Sequence, residues 1–187
     1  MTDAPLLSLV CHPDLPCPEV EAIGVGIIRD GDGWVLDYRL EGDLAALRIP
    51  EAGQPLPVER LWAHTCFELF VARQGEAAYR EFNFSPTGQW MRFDFLAYRQ
   101  RSVSPRSLEP VLTVRRDARV LGMEVRLPGV ALPEGPWQIA LTAVVELADG
   151  RHCYWALQHP RGQPDFHHQD SRACFLNPLH VQKVPTP

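Results

Sequence analysis

Residues 156–174, ALQHPRGQPDFHHQDSRAC, hold three of the chain's seven histidines and two aspartates. His159, Asp165, His167 and His168 are all metal-ligating types. A catalytic zinc needs about three such side chains on one point, with water in the remaining place. A centre of that kind would make the chain a metal-dependent hydrolase. The spacing argues against it. There is no HExxH and no HxH on a strand, and adjacent His167 and His168 point to opposite faces of an extended chain. Pro160, Gly162 and Pro164 mark an irregular loop. The expectation is a loop ordered by its own polar side chains, with Asp165 and the histidines bonded to backbone groups. It would close one edge of the fold and line the rim of a site. The metal set is the alternative.

A second candidate is Glu68 in CFELFV, a carboxylate among apolar neighbours that is costly to bury without partners. Trp62 and His64 precede it. Trp90 and Arg92 fall on another segment, and His152 and Trp155 on a third. Tryptophans beside an acid and an arginine suit a sugar ring. The aromatic face packs on C–H groups, and the charged groups bond bidentately with neighbouring hydroxyls. The plainer reading is that the tryptophans are core and Glu68 pairs with Arg92. Nucleophilic catalysis has no GxSxG to rest on, and Cys66 near His64 reads as a core thiol. A glycosidase needs two facing carboxylates, and Glu68 is the only one flanked on both sides by apolar residues in a core-like strand.

The elements that must position these residues read as strands. In GWVLDYRL, Trp34, Leu36, Tyr38 and Leu40 share one face, and the preceding DGDG is a hairpin turn with Ile23, Val25 and Ile27 on the partner strand. EFNFSPTGQWMRFDF is a clear hairpin around SPTG. Phe82 and Phe84 alternate with Glu81 and Asn83, and Met91, Phe93 and Phe95 alternate with Trp90, Arg92 and Asp94. Two further hairpins run through Val125 and through Trp155. The second puts Trp137, Ile139, Leu141, Ala143 and Val145 on one face. VERLWAHTCFELFVA fits helix or strand; as a strand, Phe67, Leu69 and Val71 face inward, and Trp62, His64, Cys66, Glu68 and Phe70 line the other side. Residues 102–110 read as a loop. The expected fold class is all-β, a two-sheet antiparallel sandwich of immunoglobulin-like or jelly-roll type. It forms one domain over residues 1–187, with 1–18 and 181–187 loose.

A chain of 187 residues can bury a core without disulfides or metal. Its net charge of −5 offers nothing to nucleic acid or an anionic membrane. The arginines between Arg92 and Arg126 read as a solvated strand face. No apolar run approaches the ~20 residues of a membrane span. The N-terminus does not read as a signal peptide. Five cysteines without a CxxC pair argue against a disulfide framework or structural zinc. The expectation is a cytoplasmic protein with Cys66 and Cys153 as buried thiols.

The central motif, LWAHTCFELFVA followed by YREFNFSPTGQW, resembles the DOMON-like domains related to family 9 carbohydrate-binding modules. Glu68, Leu69 and Phe70 match one half of that family's pattern. Tyr79, Glu81, Phe82, Asn83, Pro86 and Gly88 match the other. The closing CYWALQHPRGQPDFHHQDSRACFL is similar to a bacterial subgroup. The resemblance implies a β-sandwich that clamps a saccharide end between two tryptophans, Trp62 and Trp155, with Glu68 and Arg92 bonding the sugar. His152 stands where the family carries an asparagine, and His64 and Thr65 stand where it carries acidic residues. It also implies calcium in some members, and haem held by Met and His in another branch; Met91 and Met123 read as packing residues here. The expected function is non-catalytic binding of a carbohydrate or similar polyhydroxylated ligand on a concave face holding Trp62, His64, Glu68, Arg92, His152 and Trp155. A protein-interaction scaffold without small ligand is the third reading.

Overall fold

The computed structural model describes residues 6–103 and 108–177. Its architecture is an all-β antiparallel sandwich. One sheet carries β1 (Leu7–Cys11), β2 (Val20–Asp30), β3 (Gly33–Gly42), β9 (Val120–Leu127) and β8 (Val111–Arg116), in that order. The other runs β7 (Gln100–Arg101), β6 (Trp90–Ala97), β5 (Tyr79–Phe84), β4 (Cys66–Arg73), β10 (Trp137–Glu146) and β11 (His152–Ala156). The short β12 (Cys174–Leu176) shares an edge of β10 with β11. β1 joins the two sheets. Leu7, Ser8 and Leu9 pair with β2, and Val10 and Cys11 pair with β11. The expectation that residues 1–18 are loose is corrected for this stretch, because Leu9 is buried and β1 completes ladders on both sides. Residues 181–187 lie outside the described residues, as do 104–107 of the loop expected at 102–110.

The core between the sheets follows the alternation in the sequence. Leu36, Tyr38 and Leu40 of β3 meet Phe67, Leu69 and Val71 of β4 and Leu141 and Ala143 of β10. The Tyr38 ring stacks on Phe67 at 4.9 Å, and its hydroxyl donates to the Glu68 carbonyl at 3.0 Å. The polar tip of this fully buried tyrosine is therefore satisfied. The ambiguous segment is neither one helix nor one strand. Residues Val58–Ala63 form a 3-10 helix, plugged by Leu61, and β4 begins at Cys66. The SPTG hairpin turns through Gly88 at φ +87°, with Ser85 and Gln89 closing it by a 2.9 Å bond. That turn sets the β5–β6 register, Glu81 opposite Phe93 and Phe82 opposite Arg92.

The second sheet is also covered on its outer face. Phe70, Tyr79, Phe93, Phe95, Val144 and Phe166 form a separate apolar cluster there. The cover is the loop of residues 157–173. Phe166 packs at 6.4 Å from Phe70 and 5.9 Å from Tyr154, ring centre to ring centre. Seven of the eight residues of β4 are buried in consequence, so its sequence is apolar on both faces except at Glu68 and does not alternate.

Candidate functional site

A cleft of about 570 Å³ opens between this loop and the outer face of the second sheet. That size suits a small organic ligand. Its floor comes from adjacent strands. Side chains at every second position share a face, so Glu68 and Phe70 of β4, Glu81 of β5, and Val144 of β10 all point outward. His152 and Tyr154 of β11 do the same, and all six line the cleft. The rim carries Trp62 from the 3-10 helix, Arg99 and Arg101 from the β6–β7 hairpin, and Phe166 and His167 from the loop. Trp62 is 45% exposed, because Leu61 takes the buried place in its helix.

Glu68 and Glu81 are 2% and 4% exposed. In the β4–β5 register Glu68 faces Asn83 and Phe70 faces Glu81, so the two carboxyls are diagonal neighbours on one face. Thr142 donates its hydroxyl to Glu68 Oε2 at 2.9 Å, and Asn83 Nδ2 donates to Glu81 Oε1 at 2.6 Å. Burial pushes the Glu68 carboxyl well above the ordinary carboxylate range, and the charge of Glu81 adds to this. Glu81 is also raised by burial, against the opposing pull of Asn83, Arg101 and Arg99.

His167 joins the same network. The Tyr79 hydroxyl accepts from the Arg99 backbone N–H at 3.1 Å and lies 2.8 Å from His167 Nδ1. With Tyr79 donating to Nδ1, the remaining ring proton is on Nε2, which lies 3.7 Å from Glu81 Oε2. Burial, with the positive charge of Arg99 second, pushes His167 down to about 4. The ring is therefore neutral at physiological pH. It packs edge-on against Phe70 and Phe95 at 5.2 and 5.1 Å.

Of the six residues expected on one concave face, Trp62, Glu68 and His152 line the cleft. His152 Nε2 lies 3.0 Å from the Ala63 carbonyl and ties β11 to the 3-10 helix. His64 is placed beside the cleft, with Nδ1 at 2.9 Å from Glu146 Oε2. Burial raises the Glu146 carboxyl, but bonds from His64 and Arg48 outweigh it and hold the group below its ordinary value.

Arg92 and Trp155 are corrections. Arg92 is in register with Phe82 and turns toward the inner face, where Asp94 takes its guanidinium through bonds of 2.8–3.0 Å. Glu68 and Arg92 therefore do not pair. Trp155 is opposite Ala143, in the core between the sheets. Its indole N–H is buried without a partner among the described residues. His152 and Trp155 are three apart on one strand, an odd separation that sends them to opposite faces. Tyr154, Glu81, Phe166 and the rim arginines are the lining residues that sequence reasoning missed. For Tyr154 the signal was its strand parity with His152, and for Glu81 its alternation with the inward Phe82 and Phe84.

The proposed metal set does not converge. His159 Nε2 lies 2.9 Å from the Val10 carbonyl. Asp165 accepts from Tyr98 and Arg99 at 2.6 and 2.9 Å, and His168 Nδ1 accepts from the Asp170 N–H at 3.2 Å. Among the described residues no group of three or more His, Cys, Asp or Glu side chains is placed to hold a metal ion. Met123 is fully buried between the sheets and Met91 packs on the outer cluster, so the two do not share a site. Among the described residues no helix is long and apolar enough to cross a membrane.

No family model and no curated protein matches this sequence. Among solved structures, the fold is similar to that of a proposed carbohydrate-binding protein from Bacteroides uniformis, with a TM-score of 0.60 at 15% identity. The likeness covers 88% of this chain and 81% of that one.

Proposed function

We propose that the chain binds a carbohydrate or similar polyhydroxylated ligand in the cleft on the outer face of the second sheet, without acting on it chemically. The observation that carries this reading is the pairing of a half-exposed tryptophan, Trp62, with buried carboxyl groups on the floor. A sugar would lie with its C–H face against Trp62 and the aromatic wall of Tyr154 and Phe166. Its hydroxyls would reach Glu68, Glu81 and His152. The B. uniformis likeness supports the same ligand class. Kinship with DOMON-like modules rests on the motif at residues 68–70 and 79–88, with Trp62 as one clamp residue. The second clamp residue is not Trp155; Tyr154 and Phe166 take that role. All five cysteines are free thiols, which fits a reducing, cytoplasmic setting.

The test is a thermal-melting screen of the purified protein against neutral, acidic and amino oligosaccharides. A ligand of the folded state raises the melting temperature by mass action. We expect one class to raise it and Trp62→Ala to abolish the rise. A panel in which no sugar moves the transition removes the carbohydrate reading.

A further inference from the structure

The floor of the cleft has an electrostatic feature that a neutral sugar leaves unused. Glu68 and Glu81 put two carboxyl groups on one face of adjacent strands. Two of their four oxygens accept hydrogen bonds. Thr142 reaches Glu68 Oε2, Asn83 reaches Glu81 Oε1, and the neutral ring of His167 stands 3.7 Å from Glu81 Oε2. Glu68 Oε1, on a side chain almost wholly buried, makes no hydrogen bond among the described residues. No arginine within the described residues forms an ion pair with either group. The two rim cations are engaged elsewhere, Arg99 with Asp165 at 2.9 Å and Arg101 over the Phe93 ring at 3.9 Å. A buried acid pair is ordinarily matched by a cation or by enough donors. Here the matching group is missing on the side that opens to the cleft.

We propose that the occupant of the cleft carries a protonated amine, as an amino sugar does, and that its ammonium group sits against the Glu68–Glu81 pair. This rests on the carbohydrate reading of the same site. An ammonium offers three donors and one positive charge. It can fill the vacant side of Glu68 Oε1, bond Glu81 Oε2, and lie near the faces of Phe70 and Tyr154, which attract a cation through their π systems. The remaining hydroxyls of the ring keep the aromatic wall and His152. The other titratable and charged groups facing the pair are Cys66 on β4, Tyr79 on β5, His152 and Tyr154 on β11, Arg99 and Arg101 on the hairpin, and His167 on the loop. His152 is held by the Ala63 carbonyl. The empty pair, raised by burial, keeps a proton that a bound ammonium displaces. Binding then releases a proton to the buffer.

The experiment is isothermal titration of the full chain with three matched trisaccharides: glucosamine, N-acetylglucosamine and glucose oligomers of the same linkage. They share the ring and differ in whether the amine is free, acylated or absent. Each is titrated in two buffers of different ionisation enthalpy. We expect the glucosamine oligomer to bind at least about tenfold tighter, the worth of one charge-assisted hydrogen bond, and to release a proton. Glu68→Gln and Glu81→Gln should each erase that preference, so that the three oligomers no longer differ in affinity. Circular dichroism confirms that the variants fold. Equal affinity for the three oligomers overturns the amine and leaves carbohydrate binding standing. Failure of all three to bind overturns both. A preference that survives in both glutamine variants overturns the assignment to this pair.

Discussion

The two faces of the second sheet use the same strands for opposite ends. Along β4 and β10 the inner face is apolar, with Phe67, Leu69 and Leu141, together with Phe82 of β5, meeting Tyr38 and Leu36 across the sandwich. The outer face interleaves Phe70, Val144 and Phe95 with Glu68, Glu81 and Asn83, and then buries them all under a loop. Burial on the inner face stabilises the fold through area removed from water. Burial on the outer face costs part of that gain, because two carboxyl groups lose hydration without a full set of partners. The difference teaches where to look for function. Polar groups buried beside an open cleft are worth their cost only when something binds there.

Truncation on the inner face should give the largest effect. Phe82→Ala is expected to lose about 3–5 kcal/mol of stability, read from urea unfolding, because Phe82 is fully buried in a close-packed cluster. A loss below about 1 kcal/mol would mean the inner face is not the structural one.

Glu68→Gln should behave in the reverse sense. Its folded-state pKa is raised, so the folded protein holds its proton more tightly than the unfolded chain does. The cost of burying the charge is absent below the ordinary value of 4.5 and grows as pH rises through the folded value. Glu68→Gln is therefore expected to be more stable than the native chain at pH 8, by on the order of 1–3 kcal/mol, with the advantage shrinking toward pH 4.5. A difference independent of pH would show that Glu68 is not a strained acid.

His167 contributes with the opposite slope. Its pKa falls from 6.5 to about 4 on folding, so between these values the unfolded chain binds more protons and stability declines as pH drops. The slope attributable to this residue is at most about 1.4 kcal/mol per pH unit. His167→Gln should flatten it in unfolding curves taken across that window. An unchanged slope would place the histidine in solvent and the loop away from the sheet.

The smallest stability effect belongs to Trp62→Ala. The side chain is half exposed, so unfolding should shift by less than about 0.5 kcal/mol, while ligand affinity falls at least about tenfold, as for the loss of an aromatic anchor. A large loss of stability with unchanged affinity would make Trp62 a core residue.

The sandwich was legible in the sequence because a half-buried strand advertises itself by alternation. Trp34, Leu36, Tyr38 and Leu40 did so, and so did Trp137 through Val145. The outer face was less legible for the same reason. Where a loop covers the second side, alternation disappears, and CFELFV reads equally as helix or strand. The covering loop itself, residues 157–173, has no period at all. Its Phe166 and His167 reach the site through tertiary contacts that local spacing does not encode. Arg92 and Trp155 were grouped with Glu68 by residue type, and strand parity separated them. Parity with His152 also offered Tyr154, and alternation with Phe82 and Phe84 offered Glu81; chemistry-first reading passed over both.

The central claim is that ligand meets the outer face and not the inner one, and the two tryptophans report on it directly. In nitrogen-15 correlation spectra the Trp62 and Trp155 indole N–H signals can be assigned by substitution and followed while glucosamine and glucose oligomers are titrated in. We expect the Trp62 signal to move saturably and the Trp155 signal to stay in place. Movement of Trp155 alone, or of neither with any oligomer, would contradict the outer-face site.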